Sequence, residues 1–399
     1  MNGSQDNKAP TPLEAEHAPS LPVMHAAFVL SGLGTMLLGP ILPILAAQWH
    51  LNDSHSGLLV LSQFCGATIG GGTTTHKLRS GLLVGLISAV IGFFAFAFSP
   101  SLAFACPALV LGGFGVGRTV TAINILAGQR YAKNRGSALS WLNFSWSFGA
   151  LLSPLGAAWL ATRFHLSTLL TALSLLFLTV GILIAIQFRR TADTYIAQPQ
   201  HDPTPPIRLP LFLYFVSLLF LYGGLETCLA AWLTTYALRY GQSSLVLSEY
   251  TMVLFLCGLT AGRALAARLL LRMPEARLQR ISLLLAAAIT LALASVHTAA
   301  LIATFAVLLG ITLAPIFPAT FAIALSRKPR ARQSGLILAA SGLGAAALPS
   351  LLGVISTRSG SLQIALILPV AAAFLMFGLT LLPISNAPAQ TGIPEPTSV

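Results

Sequence analysis

Apolar runs of twenty or more residues recur along this chain from Met24 to Ile384, and a chain written that way has few ways to fold. Hydrocarbon offers no hydrogen bonds, so a segment crossing it must satisfy its own backbone, as an α-helix does. A bilayer core is about 30 Å thick and takes about 20 apolar residues per helix. Charge is correspondingly scarce: of 399 residues, 8% are charged and 55% hydrophobic, with a mean hydropathy of +0.82. A soluble domain carries roughly 25% charged residues, because something must face water. A soluble single-domain fold is excluded on this count.

Twelve spans can be drawn, near 23–47, 55–76, 80–99, 102–127, 136–161 and 166–188, then 209–238, 246–270, 279–296, 299–325, 333–356 and 361–383. Between the sixth and seventh lies the longest internal polar stretch, rich in Pro and charge, which marks a linker. The expected architecture is therefore an all-α membrane protein with twelve transmembrane helices in two six-helix bundles. It comprises a disordered cytoplasmic tail (1–22), an N-terminal bundle (23–188), a cytoplasmic linker (189–208), a C-terminal bundle (209–384) and a second tail (385–399). No basic region followed by a short apolar stretch precedes a cleavage site, so the first segment reads as a tail rather than a signal peptide.

The net charge of +12 does not point to nucleic acid, which needs basic patches on one folded surface. Lys and Arg stand instead in short clusters between apolar runs. With the N-terminus in the cytoplasm, seventeen of the 22 basic residues fall inside, and only Arg163, Arg239 and Arg358 outside. That is the positive-inside rule, with both termini cytoplasmic and an even number of spans. The expected location is a plasma membrane, the inner one of a bacterium. Cys65, Cys106, Cys228 and Cys257 all lie in apolar segments without CxxC spacing, so neither a disulfide framework nor a zinc site is expected. The His residues fall at loops or span ends with no metal-ligand spacing. The stretch GGFGVGR lies inside an apolar span with no strand before it, which argues against a nucleotide loop. Neither a cofactor nor a metal is expected. Pro40, Pro43, Pro154, Pro315, Pro318 and Pro349 interrupt spans, and such breaks are tolerated where backbone faces protein or a wet cavity.

Of ten acidic residues, only Glu226 lies deep in an apolar run, LFLYGGLETCLAAWL. An acid there must pair, take a proton or meet water, and intramembrane acids mark function by default. Glu226 is thus the candidate proton-coupling group; the alternative is a neutral acid hydrogen-bonded within a bundle. Arg118, deep in the fourth span, cannot lose its proton and needs a carboxylate, carbonyls, water or an anionic substrate. Whether it pairs with Glu226 stays open at this level. Asn124, Asn143, Trp146, Tyr222, Trp232 and Tyr236 have the chemistry of a sugar site, in which aromatics stack on ring faces and amides bind hydroxyls. Tyr and Trp also serve as interfacial anchors. Two segments occupy equivalent cytoplasmic positions in the halves: GTTTHKLR from Gly72 to Arg79 and GRALAARLLLR from Gly262 to Arg272. Lys77, Arg79, Arg263 and Arg268 are the gating-loop candidates, with Arg263 close enough to a span end to snorkel. Simple topological charge is the competing explanation.

In the seventh span, YGGLETCLAAWLTTYALRYG resembles the fucose:proton symporter branch of the major facilitator superfamily. So do CGLTAGRALAARLL in the eighth, GITLAPIFPATFAIAL in the tenth, SGLGAAALPSLLGVISTRSG in the eleventh and the stretch ending SFGA at Ala150 in the fifth. The resemblance covers about Met24 to Leu382. It implies two rocking halves, a monosaccharide substrate, alternating access and proton-driven uptake. The prototype carries an Asp in the first span where Gly39 stands here, and a Glu in the fourth where this chain offers Arg118 or its neighbours. Three readings stay open: Glu226 has taken over one of those roles, the protein is a uniporter, or it takes an acidic sugar that Arg118 neutralises. The expectation is a secondary active transporter, not an enzyme, which moves a monosaccharide or sugar derivative, with protons, as a monomer in the bilayer. The alternative is a polyspecific exporter of amphipathic compounds. The antiporter pattern of a Gly-rich stretch ending in Gly-Pro is poorly met, since Ser153 precedes Pro154.

Overall fold

The computed structural model describes residues 19–51, 53–74, 77–160, 165–192, 206–241 and 250–382. Most of the expected tails, and linker residues 193–205, lie outside the described residues. The described chain forms fifteen α-helices. In the first half these are α1 (Leu21–Met36), α2 (Leu38–Trp49), α3 (Asp53–Gly72), α4 (Leu78–Ala97), α5 (Leu102–Arg130), α6 (Arg135–Leu160) and α7 (Leu166–Ala192). In the second they are α8 (Leu209–Tyr240), α9 (Thr251–Leu269), α10 (Glu275–Leu293), α11 (Ala299–Leu313), α12 (Ile316–Ser326), α13 (Ala331–Ser359), α14 (Leu362–Ala365) and α15 (Ile367–Thr380).

Fifteen helices make twelve spans because three spans are broken: α1 with α2, α11 with α12, and α14 with α15. Among the described residues, nine spans are long and apolar enough to cross a membrane by length and composition. The other three are the broken first span, the second, whose apolar part is Leu58–Gly72, and the fifth, whose first half carries Ser137, Ser140, Asn143, Ser145 and Ser147. Proline explains the breaks, since it cannot donate to the carbonyl one turn earlier. Pro40 and Pro43 follow the break at Leu37, Pro315 caps α12, and Pro369 follows the break at Leu366. Gln63 of α3 supplies missing donors at the first break, its Nε2 donating to the carbonyls of Gly34 (2.9 Å) and Thr35 (3.2 Å). The expectation that Pro154 and Pro349 interrupt their spans is corrected: both lie inside continuous helices. A single lost hydrogen bond is tolerated where neighbouring helices pack around it.

The halves repeat one packing pattern. The first span packs on the fifth, the second on the fourth and the third on the sixth; correspondingly the seventh packs on the eleventh, the eighth on the tenth and the ninth on the twelfth. Helices in lipid associate by close fit, because the surrounding tails are as apolar as their own side chains. The α3–α5 seam shows this reciprocally. A Cβ on Gly66 would run into the Val110 carbonyl, and one on Gly113 into the Gln63 carbonyl. The outer faces are also apolar. Helix α4 buries Leu82, Leu86, Ala89 and Phe93 yet leaves Ile87, Ile91 and Phe94 exposed. A helix apolar all round belongs in hydrocarbon.

Contacts between the halves gather at the end carrying the basic loops. Gly72 of α3 lies against Leu336 and Ala339 of α13, Gly128 of α5 against Leu325 of α12, and Gly136 of α6 against Leu270 and Glu275. The chain entries are tied down at the same end. Ser20 exchanges hydrogen bonds with the Gln187 side chain, and Ile207 with that of Gln333.

Candidate functional site

The buried stripe of α8 runs through Leu218, Leu219, Tyr222, Leu225, Leu229, Leu233 and Tyr236. Glu226 stands on its flank, its side chain 17% exposed. Helix α9 turns Leu256, Leu259, Arg263, Ala266 and Ala267 inward, a spacing of three and four residues that defines one helix face. Arg263 is therefore a residue of the buried face and only 3% exposed.

These two helices bring the charges together. Arg263 Nη2 lies 3.3 Å from Glu226 Oε1, and its Nη1 donates to the Asn143 carbonyl of α6 at 3.1 Å. The guanidinium sits 5.4 Å from the Trp146 ring centre, a cation–π arrangement. The Ser140 hydroxyl donates to the Arg263 carbonyl at 2.7 Å. Arg263 belongs to the second half, yet Asn143, Trp146 and Ser140 all belong to the first. The ion pair thus sits on the seam across which the halves must move. Charge-assisted N–H···O bonds run about 2.7–2.9 Å when well formed, so the single 3.3 Å contact is a loose one. The Arg263 Nε is buried with no acceptor.

Tyr222 stands one turn before Glu226 and is fully buried, its ring centre 5.8 Å from that of Phe317 on α12. Its hydroxyl, beside Glu226 and Arg263, makes no aligned hydrogen bond. Phe317 continues into Phe321 as a stacked pair at 6.2 Å. The site therefore holds an acid, its counter-charge, a phenol, an indole and an aromatic wall. Together these can exchange a proton, bind hydroxyls or an anion, and stack on an apolar face. Phe317 carries no polar signal and is absent from the sequence candidates, whereas the inward face of Arg263 is legible in the spacing of α9.

The remaining candidates lie elsewhere. Arg118 does not meet Glu226. Its Nε donates to the Gly81 carbonyl (3.2 Å) and its Nη1 to the carbonyl (3.3 Å) and hydroxyl (3.2 Å) of Thr73, with its guanidinium over Phe114. Carbonyls at the α3–α4 turn thus supply what the arginine needs. Arg263, read as close enough to a span end to snorkel, instead points inward and pairs with Glu226. Lys77 and Arg268 are exposed, and Arg79 lies over the Phe188 ring at 5.3 Å. Asn124 is buried in α5, its amide donating to the Val120 carbonyl of its own helix while Oδ1 has no partner. Tyr236 donates to the carbonyls of Leu293 and Val296, both at 3.0 Å. Trp232 donates to the Pro349 carbonyl at 3.2 Å and covers Gly353. Both aromatics are thereby committed to packing within the second half. Among the described residues no cluster of His, Cys, Asp and Glu could hold a metal ion.

Two broken, paired repeats with a charged pair on their seam are a transporter's anatomy. The Major Facilitator Superfamily profile matches residues 24–349. The chain belongs to this superfamily. It is an integral membrane transporter, not an enzyme. "Bypass of stop codon protein 6" of Saccharomyces cerevisiae is 22% identical over 402 aligned residues, 89% of this chain and 80% of that protein. "Sodium-dependent glucose transporter 1A" of Mus musculus is 27% identical over 143 residues, 34% of each chain. Among solved structures, a variant of the E. coli fucose:proton symporter superposes with TM-score 0.71 at 15% identity, over 90% of this chain and 97% of that one. The human organic anion transporter MFSD10 gives 0.73 at 17%, over 92% and 99%. The proton:xylose symporter XylE gives 0.68 at 14%, over 89% and 93%. At these identities the structural likeness establishes the fold.

Proposed function

We propose that this transporter moves a monosaccharide or sugar derivative by alternating access, coupled to protons, with Glu226 as the titrating group and Arg263 as its counter-charge. The observation that carries the reading is the Glu226–Arg263 pair at 3.3 Å, bonded across the seam to the Asn143 carbonyl. An acid that ionises beside a fixed arginine favours that contact, and protonation weakens it. Proton binding then acts on the interface that must open. Trp146, Tyr222 and Phe317 supply stacking surface beside the pair. The names of similar proteins, which include fucose, xylose and glucose transporters, support the sugar class.

The halves meet at the basic-loop end, which favours a site that opens toward the opposite side. The charge bias supports both termini being cytoplasmic, in a plasma or bacterial inner membrane, with a single chain as the transporting unit. On that orientation the state described here reads as outward-facing. Uptake of labelled hexoses into proteoliposomes tests the reading. Accumulation driven by a gradient acid outside and alkaline inside is the expected result. Equilibration independent of pH would instead make the protein a uniporter, and resistance to amphipathic compounds on overexpression, without sugar uptake, would make it an exporter.

A further inference from the structure

Arg263 presents three kinds of donor and uses two. Nη1 is taken by the Asn143 carbonyl and Nη2 by one oxygen of Glu226, while Nε is buried with no acceptor. Nε and Nη2 form one edge of the planar guanidinium, the edge that a carboxylate fills with two parallel bonds. Glu226 fills half of it, through Oε1 alone at 3.3 Å. The Trp146 ring against the guanidinium and the Asn143 carbonyl hold the edge in place without consuming it. The Tyr222 hydroxyl stands beside the pair without an aligned hydrogen bond.

The surroundings make that half-filled edge selective for charge. Among the described residues, the titratable groups facing Glu226 are Arg263 of α9 and Tyr222 of its own helix. Helices α11, α12 and α15, which pack around α8, contain no charged residue, and those of α13 lie near its ends. A buried arginine without an anion is strongly disfavoured. If Glu226 takes a proton, nothing else on these helices neutralises Arg263.

We propose that the substrate is a monocarboxylate, in the sugar series a uronate or other sugar acid, whose carboxylate takes the Nε/Nη2 edge of Arg263 when Glu226 is protonated. This rests on the proton-coupled sugar reading of the same site and narrows its substrate. The exchange balances: one proton from the open side goes to Glu226, one carboxylate replaces it on Arg263, and the net charge of the site stays zero. Transport is then electroneutral, one proton with one anion. On the other face the substrate leaves, Glu226 releases its proton to water and the ion pair closes again.

The test is uptake into proteoliposomes of labelled D-glucuronate against labelled D-glucose, its neutral counterpart. A pH gradient and a valinomycin-set potassium potential are imposed separately. Glucuronate is expected to accumulate with the lumen alkaline, to respond little to the potential, and to exceed glucose by at least about tenfold, the ratio set by about one charge-assisted hydrogen bond. Arg263→Lys keeps the charge but not the edge, and is expected to raise KM for glucuronate by about tenfold or more in protein that still purifies as a monodisperse species. Glucose accumulating while glucuronate does not would overturn this inference and leave the sugar symport reading standing. Glucuronate uptake that the potential strongly accelerates would overturn the one-to-one balance. If neither compound moves under either gradient, the sugar reading falls and takes this one with it.

Discussion

At the scale of single residues, chemically similar side chains divide into those that serve the site and those that hold the frame. Tyr222 and Tyr236 lie on one helix and are both fully buried. Tyr236 spends its hydroxyl on two carbonyls at the end of α10, whereas the Tyr222 hydroxyl faces Glu226 and Arg263 without an aligned bond. Tyr236→Phe should therefore cost about 1–3 kcal/mol of stability, the penalty for buried groups left unmade, seen as a lower Tm with unchanged KM. Tyr222→Phe should do the reverse, changing KM while leaving Tm nearly where it was. Equal effects of the two substitutions on KM would place Tyr236 in the site after all. The acid was legible in the sequence because one carboxylate in an apolar run has no innocent explanation. Its partner was less so. Nearness to a span end suggested that Arg263 could snorkel, but an arginine's direction depends on its helix face, and α9 turns that face inward.

At the scale of helices, backbone proximity decides what can change. Gly66 and Gly113 lie where α3 and α5 touch, each against a carbonyl of the other helix. Gly113→Val must separate the helices or distort them. Overpacking of this kind costs typically about 1–3 kcal/mol, and here it should lower the detergent-solubilised Tm measurably. The same substitution at Gly378, which has open space around its Cα, should leave Tm unchanged. Most spans were readable from hydropathy, nine of those described being long and apolar enough to cross a membrane, but the exact helix boundaries were not. Which prolines break a span was not. Pro315 does and Pro349 does not, and that depends on neighbouring helices, which periodicity along one segment does not reveal.

At the scale of the whole molecule, the two halves meet at one end, and Arg263 of the second half's ion pair reaches Asn143 and Trp146 of the first across the seam. The Cβ of a residue at position 72 would lie 3.7 Å from that of Ala339, close to the roughly 3.8 Å mean of disulfides. In a background lacking the four native cysteines, Gly72→Cys with Ala339→Cys should oxidise readily, stop transport, and regain it on reduction. Failure to cross-link would mean the halves do not close there. Two-half architecture was legible in the polar linker and the repeated spacing of spans. The state of closure was not, since one sequence serves every state of the cycle.

The most direct test of the central claim, that protonation of Glu226 beside Arg263 couples the solute to protons, compares exchange with accumulation in Glu226→Gln. In proteoliposomes the variant should still exchange labelled for unlabelled solute at equal pH on both sides, yet fail to concentrate it under a pH gradient. Undiminished gradient-driven accumulation by Glu226→Gln would contradict the account.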